Sequence, residues 1–314
     1  MNDKSVSTTP VVLGHAPCTG GSLVFRIVTA TFGWYGLSEI GVAKETRTNR
    51  YNPWDPEYHL YVRNELSPEQ FGEVLFQRII ACEKHVTDSG KRLLVREHTH
   101  SFLFEPADES VVPEGGSWFV DMYRKRDNRD VPCIVSVRDP VDSWLSMRRA
   151  FENLKPDTFD EYCRLYNEML DKAERANESG GKYLIFRYED MLQDAQSVID
   201  RIADHTGEAR RQVDLSTVGK ITGSGNSGRL SEQLQTRSRR PFTLGFLNHS
   251  KSSAEYRKLC ERLNYETIGD TMTTGRRIRS GIYSGLSVFS GVFSWLESTA
   301  RGMKGMLKSG KNIQ

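Results

Sequence analysis

The chain has 314 residues, within reach of a single large α/β domain with insertions. Its net charge of +2 is unevenly spread: five basic residues lie between Lys220 and Arg240 against Glu232 alone, and seven between Arg276 and Gln314 against Glu297 alone. Five widely spaced cysteines (Cys18, Cys82, Cys133, Cys163, Cys260), none in a C-x-x-C pair, suggest neither a disulfide framework nor a zinc site and fit a reduced, cytoplasmic compartment.

Residues 1–10 carry no apolar run of the kind a leader or membrane anchor needs. Val11-Val12-Leu13 then reads as a short buried strand, and Ser22 to Phe32 as a helix that stops near Gly33. Between them stands His15-Ala16-Pro17-Cys18-Thr19-Gly20-Gly21-Ser22. A Gly-rich turn that opens a helix points its N–H groups inward and favours a phosphate or sulfate; the alternative is a plain turn with no ligand. The nucleotide-kinase loop G-x-x-x-x-G-K-[ST] does not fit, because Gly21 stands where its lysine belongs and His15 where its first glycine belongs.

Trp34 to Val62 is rich in aromatics and shows neither strand nor helix period, so it reads as an insertion or lid over residues 34–62. Its rings suit a sugar or other polar acceptor, or equally pack on the core. Ser67-Pro68-Glu69-Gln70 starts a helix with a capping box, followed by one apolar face through Phe71, Val74, Leu75 and Ile79 as far as Gly90. Leu93-Leu94-Val95 is a second buried strand, with Arg96-Glu97-His98-Thr99-His100 at its end. Pro132 to Val137 is a third, running into Arg138-Asp139-Pro140 and a new helix. Thr158-x-x-Glu161 opens a further helix that stops at Gly180-Gly181, Tyr183 to Phe186 is a fourth strand, and Val198 to Ala203 lies on a helix ended by Gly207. Four short apolar strands alternating with helices predict a parallel sheet with helices on both faces. Residues 222–241 form a Gly- and Ser-rich, basic loop. From Ile282 to Leu307 apolar residues recur at steps of four and three beside Arg301, Lys304 and Lys308, an amphipathic tail too short and polar to span a bilayer.

Taken in order, these segments resemble the sulfotransferase family, whose 5′-phosphosulfate loop reads roughly H-x-P-K-T-G-G-[ST]; Cys18 replaces its lysine. The resemblance covers about residues 10–245 and implies a P-loop-like sulfotransferase fold. The implied co-substrate is 3′-phosphoadenosine 5′-phosphosulfate (PAPS), with no metal. It places the 5′-phosphosulfate on Pro17, Cys18, Thr19, Gly20, Gly21 and Ser22. The 3′-phosphate falls to Arg138 and Ser146, and the adenine lies near Tyr188, the tyrosine of a Y-E-D segment. Arg229 with one or more of Arg237, Arg239 and Arg240 completes the anion pocket; a solvated basic loop or nucleic-acid patch is the alternative there. His98 is the candidate base, Glu97 the fallback, and Arg26 or Arg96 could stand in for the missing lysine; His98 and His100 could instead be half a metal site or satisfied core groups.

The expected organisation is a sulfotransferase domain over 1–280 and an amphipathic tail over 281–314. The expected reaction transfers a sulfuryl group to a hydroxyl of a glycan or small molecule. No nucleic-acid partner is expected, and the tail touches a membrane surface. The rivals are a nucleotide-binding pseudoenzyme or membrane-surface scaffold, and a P-loop kinase.

Overall fold

The computed structural model describes residues 8–41, 60, 63–97, 116–150, 156–216, 218–221, 234 and 238–271. The chain divides into two compact units, Met1–Ser238 and Arg239–Gln314. The expected domain boundary at 280 and the amphipathic tail lie outside the described residues.

In the first unit, β1 (Val11–His15) leads into α1 (Gly21–Phe32). After it come β2 (Tyr35–Ile40), α2 (Pro68–Asp88), β3 (Leu93–Glu97), α3 (Trp118–Asp127), β4 (Cys133–Val137) and α4 (Pro140–Ala150). The series continues with α5 (Phe159–Glu178), β5 (Tyr183–Arg187), α6 (Tyr188–Gln193) and α7 (Ala195–Thr206). The five strands are all parallel, in the order β2-β3-β1-β4-β5. The expected α/β class is therefore observed. β1, β3 and β4 are buried along their whole length, as strands covered on both faces must be, and each opens with three apolar residues. Val11, Leu13, Leu94, Ile134 and Phe186 share one core cluster with the apolar sides of α1 and α7. Their alternate neighbours, Glu97 among them, face the opposite way. The connection after β1 leads toward β2 and those after β4 lead toward β5, so the crevice of this doubly wound sheet opens above the β1–β4 boundary.

β2 corrects the expectation of four strands: the stretch read as a lid begins with a fifth, edge strand. Its period of two is masked by an exposed Tyr35, by Gly36, which lies against the Phe25 ring, and by a bulge between Ser38 and Ile40 where Glu39 adopts φ 62°. α2 begins as expected. The Ser67 side chain accepts from the Gln70 amide at 3.2 Å while Gln70 Oε1 accepts from the Ser67 amide at 2.8 Å. Ser67→Ala is expected to cost about 1 kcal/mol of stability, measured by urea unfolding, with no change at the far end of the sheet.

At the N-terminal end of the strands, Arg92 is fully buried. Its Nε donates to the Thr9 carbonyl, and its Nη1 donates to the Thr206 carbonyl at 2.9 Å and lies 3.6 Å from Glu208 Oε2. Its guanidinium stacks on Trp34, whose indole N–H donates to the same Glu208 oxygen at 3.1 Å. Burial lowers the Arg92 pKa to about 10 against the opposing pull of Glu208, so the guanidinium stays charged at neutral pH.

In the second unit, α8 (Leu244–Ser252), α9 (Ala254–Leu263) and α10 (Ile268–Thr271) bury Leu247, Tyr256, Leu259 and Ile268. Thr243 and Ser253 cap the first two, and the Tyr256 hydroxyl accepts from the Ile268 amide at 3.0 Å. No element expected from the sequence corresponds to these helices.

Candidate functional site

The turn from β1 into α1 is organised by its carbonyls, each of which is held by a named donor. Ala16 O accepts from Thr19 Oγ1 at 2.8 Å, and the His15 Nδ1 lies 2.9 Å from it. Pro17 O lies 3.4 Å from the Tyr162 hydroxyl, Cys18 O accepts from Arg138 Nη1 at 3.1 Å, and Thr19 O accepts from Ser136 Oγ at 3.2 Å. Gly20 O accepts from the amides of Leu23 and Val24, which starts α1. With the oxygens turned into the protein, the amides of Gly20, Gly21 and Ser22 donate to no described group, and no side chain caps the helix. α1 has no acidic residue in its first turn. Three uncommitted amides at the positive end of a twelve-residue helix make a cradle of the kind that suits an anion.

The two glycines are required by rings packed against them. A Cβ on Gly20 would lie 2.2 Å from Cδ2 of Tyr188, and Gly20 itself sits at φ 89°. A Cβ on Gly21 would lie 2.5 Å from the His15 ring. Cys18, half-exposed at the tip, adopts φ 58°, a left-handed conformation that costs a non-glycine residue about 1 kcal/mol or more.

Arg138 follows β4 and stands beside this cradle. Its Nη1 is used on Cys18 O and its guanidinium lies over the Tyr188 ring, 5.4 Å from the centroid. Its Nε and Nη2 make no hydrogen bond with described residues, leaving one side of the fork available. Ser146 is half-buried on α4, eight residues on. Tyr188, expected beside the adenine, has a ring only 2% exposed, pressed against Gly20. It supports the loop from beneath.

Solved sulfotransferase structures are similar to this chain. The sulfotransferase domain from the Synechococcus PCC 7002 olefin synthase is 16% identical, with 84% of this chain and 97% of that one covered and a TM-score of 0.43. The sulfotransferase domain from the curacin biosynthetic pathway is 14% identical, with 82% and 99% covered and a TM-score of 0.45. The sulfotransferase from Alicyclobacillus acidocaldarius is 13% identical, with 87% and 100% covered and a TM-score of 0.42. No protein-family model matches the chain, and no curated protein matches it by sequence.

Arg96 and Glu97, neighbours at the end of β3, point to opposite faces of the sheet. Arg96 lies behind the loop: Nε donates to His15 Nε2 at 3.0 Å, and Nη1 donates to Ser38 Oγ at 2.9 Å and lies 3.4 Å from Glu39 Oε1. These bonds require His15 to be neutral with its proton on Nδ1, the tautomer that also serves Ala16 O. Arg96 thus acts on the cradle through the His15 ring. Arg26, the other candidate stand-in for a lysine, is buried on α1. Arg239 is half-buried at the start of the second unit. His98 and Arg229 lie outside the described residues.

Glu97 is fully buried on the other face. Its Oε1 accepts from the amides of Trp118 at 2.7 Å and Phe119 at 3.3 Å at the start of α3, while Oε2 has no hydrogen-bond partner. Burial outweighs these amides and the Ser117 hydroxyl and pushes its pKa up to about 8. A folded-state pKa above the unfolded one means that the fold holds a proton the unfolded chain releases. The stability associated with neutral Glu97 is therefore complete below about pH 4 and is lost as pH rises through about 8. Glu97→Gln, neutral at every pH and still able to accept from both amides, is expected to flatten this dependence. The gain over the wild type should be larger at pH 8 than at pH 5, on the order of 2 kcal/mol by denaturant unfolding. Equal effects at both pH values would mean that Glu97 is ionised in the folded protein.

Sequence reasoning missed Ser136, Tyr162 and Tyr166. Ser136 is the one hydroxyl in an otherwise apolar strand, and the two tyrosines sit four residues apart on the apolar side of α5. Both signals were present, but an inward helix face reads as core whether or not its hydroxyls are used.

Proposed function

We propose that the chain is a sulfotransferase that binds PAPS and passes its sulfuryl group to a hydroxyl. The observation that carries this reading is the pairing of the Gly20–Ser22 amide cradle with the uncommitted side of Arg138, two anion-holding groups at one boundary of the sheet. A nucleotide with a 5′-phosphosulfate and a 3′-phosphate supplies one anion for each. In the proposed reaction the acceptor oxygen attacks sulfur as the bond from sulfur to the 5′-phosphate oxygen breaks. The acceptor proton goes to a base, for which His98, just past β3, is the candidate. Negative charge then grows on the leaving 5′-phosphate, where the helix amides stabilise it. Arg229 and Ser146 remain proposed donors around the nucleotide. The proposed acceptor is a glycan or small polar molecule, from the aromatics of 34–62, and the proposed location is the cytoplasm with membrane-surface contact through 281–314. Among the described residues, no helix is long and apolar enough to cross a membrane.

Cys18 favours a second reading, nucleotide binding without transfer. A thiol stands where the family's lysine would meet the charge on the leaving oxygen, and Arg96 is committed to His15 and Ser38. Calorimetry with adenosine 3′,5′-bisphosphate and with ATP tests the site, and labelled PAPS with a panel of hydroxyl acceptors tests transfer. Tight bisphosphate binding with turnover supports the enzyme, and binding without turnover on any acceptor supports the second reading. Preference for ATP overturns both.

A further inference from the structure

Two buried tyrosines on α5 reach both halves of the anion site. The Tyr166 hydroxyl accepts from the Arg138 amide at 2.8 Å and lies 3.3 Å from the Arg138 carbonyl, so one group holds both sides of that residue's backbone. One helical turn earlier, the Tyr162 hydroxyl lies 2.8 Å from Ser143 Oγ and 3.4 Å from the Pro17 carbonyl, beneath the cradle. Both side chains are fully buried, their rings meet edge to face at 5.8 Å, and Trp144 closes against Tyr162 at 5.5 Å. Backbone positions four residues apart on one helix are separated by a rise of about 6 Å along its axis, and the packed rings carry that spacing to the two hydroxyls. Burial raises the pKa of both tyrosines well above the ordinary value, so these contacts do not change across neutral pH.

We propose that Tyr166, with Tyr162, sets the separation between the amide cradle and Arg138, and so makes the site selective for nucleotides with an anion at both ends of the ribose. The inference rests on the reading of Arg138 as the partner of a 3′-phosphate. Tyr166 is a positioning residue: it touches the Arg138 backbone and leaves the guanidinium to the ligand.

The test compares adenosine 3′,5′-bisphosphate with adenosine 5′-monophosphate by calorimetry on the full chain. In the wild type the bisphosphate should bind at least tenfold more tightly. Tyr166→Phe keeps the ring and removes the hydroxyl. It should lower that ratio at least threefold while the monophosphate affinity stays within twofold, and it should add nothing further in an Arg138→Ala background. An unchanged ratio in Tyr166→Phe, or an equal loss for both nucleotides, overturns the inference and leaves the Arg138 reading standing. A wild type that does not prefer the bisphosphate overturns the Arg138 reading itself. If Tyr166→Phe does not fold, Tyr162→Phe carries the same comparison from the cradle side, with a reduced ratio expected and an unchanged one overturning the proposal.

Discussion

Gly20→Ala is expected to abolish detectable binding of adenosine 3′,5′-bisphosphate and to destabilise the protein by about 3 kcal/mol. Two costs combine. Gly20 holds φ 89°, which an alanine adopts at a cost of about 1–2 kcal/mol. Its new Cβ would then sit 2.2 Å from a carbon of the Tyr188 ring, far inside van der Waals contact. That ring is packed in the core cluster and cannot move away without opening a void, so the strain adds roughly 1–3 kcal/mol. Relief by shifting the loop would move the amides of Gly20 and Gly21, and binding is lost by that route as well. Gly90→Ala provides the control. It has a similar φ of 71° but nothing within 4 Å of the added carbon, so only the backbone cost is expected and nucleotide affinity should be unchanged. Wild-type affinity in Gly20→Ala would remove the cradle from the site.

Arg138→Ala is expected to weaken bisphosphate binding at least tenfold with the fold retained. A charge-assisted bond to a phosphate contributes about 1.5–3 kcal/mol, and a fork presenting two donors stands at the high end. The fold should survive because the Tyr166 hydroxyl bonds the backbone of residue 138, not its side chain, and because Nε and Nη2 serve no described group. The variant also removes the donor to Cys18 O, so part of the loss reflects a looser loop tip. Arg138→Lys separates these contributions: it keeps a positive charge but loses the planar fork, and an intermediate affinity is expected. Unchanged affinity in Arg138→Ala, measured by calorimetry beside a thermal scan, would end the 3′-phosphate assignment.

The parts legible in the sequence were those that depend on neighbours along the chain. The four apolar strands were legible because a strand buried on both faces has to be apolar, and the starts of α2 and α5 because Ser67 and Thr158 cap locally. The loop from His15 to Ser22 was legible because glycine at 20 and 21 marks close backbone packing. Long-range partners were not. Nothing near Arg96 announces that its guanidinium turns to His15, 81 residues away, or that Glu97 turns to the other face to meet Trp118. Alternation along β3 separates the two, but which face holds the site is decided by where α1 and α3 lie. β2 escaped for a related reason: an edge strand with a bulge needs no strict period, because solvent and Arg96 satisfy what the core does not.

The Arg92 staple lies at the opposite end of the sheet from the cradle. It joins the residues just before β1, β2 and β3 to the last turn of α7 and the second residue beyond it, through Thr9, Trp34, Thr206 and Glu208. Strand alignment is thereby secured by groups remote from the cradle. The turns at the other end can exchange residues or lengthen without disturbing the register beneath them, since their sequence is not what keeps the strands in step. In such a frame the residue at the loop tip, Cys18 here, can change while the scaffold stays folded.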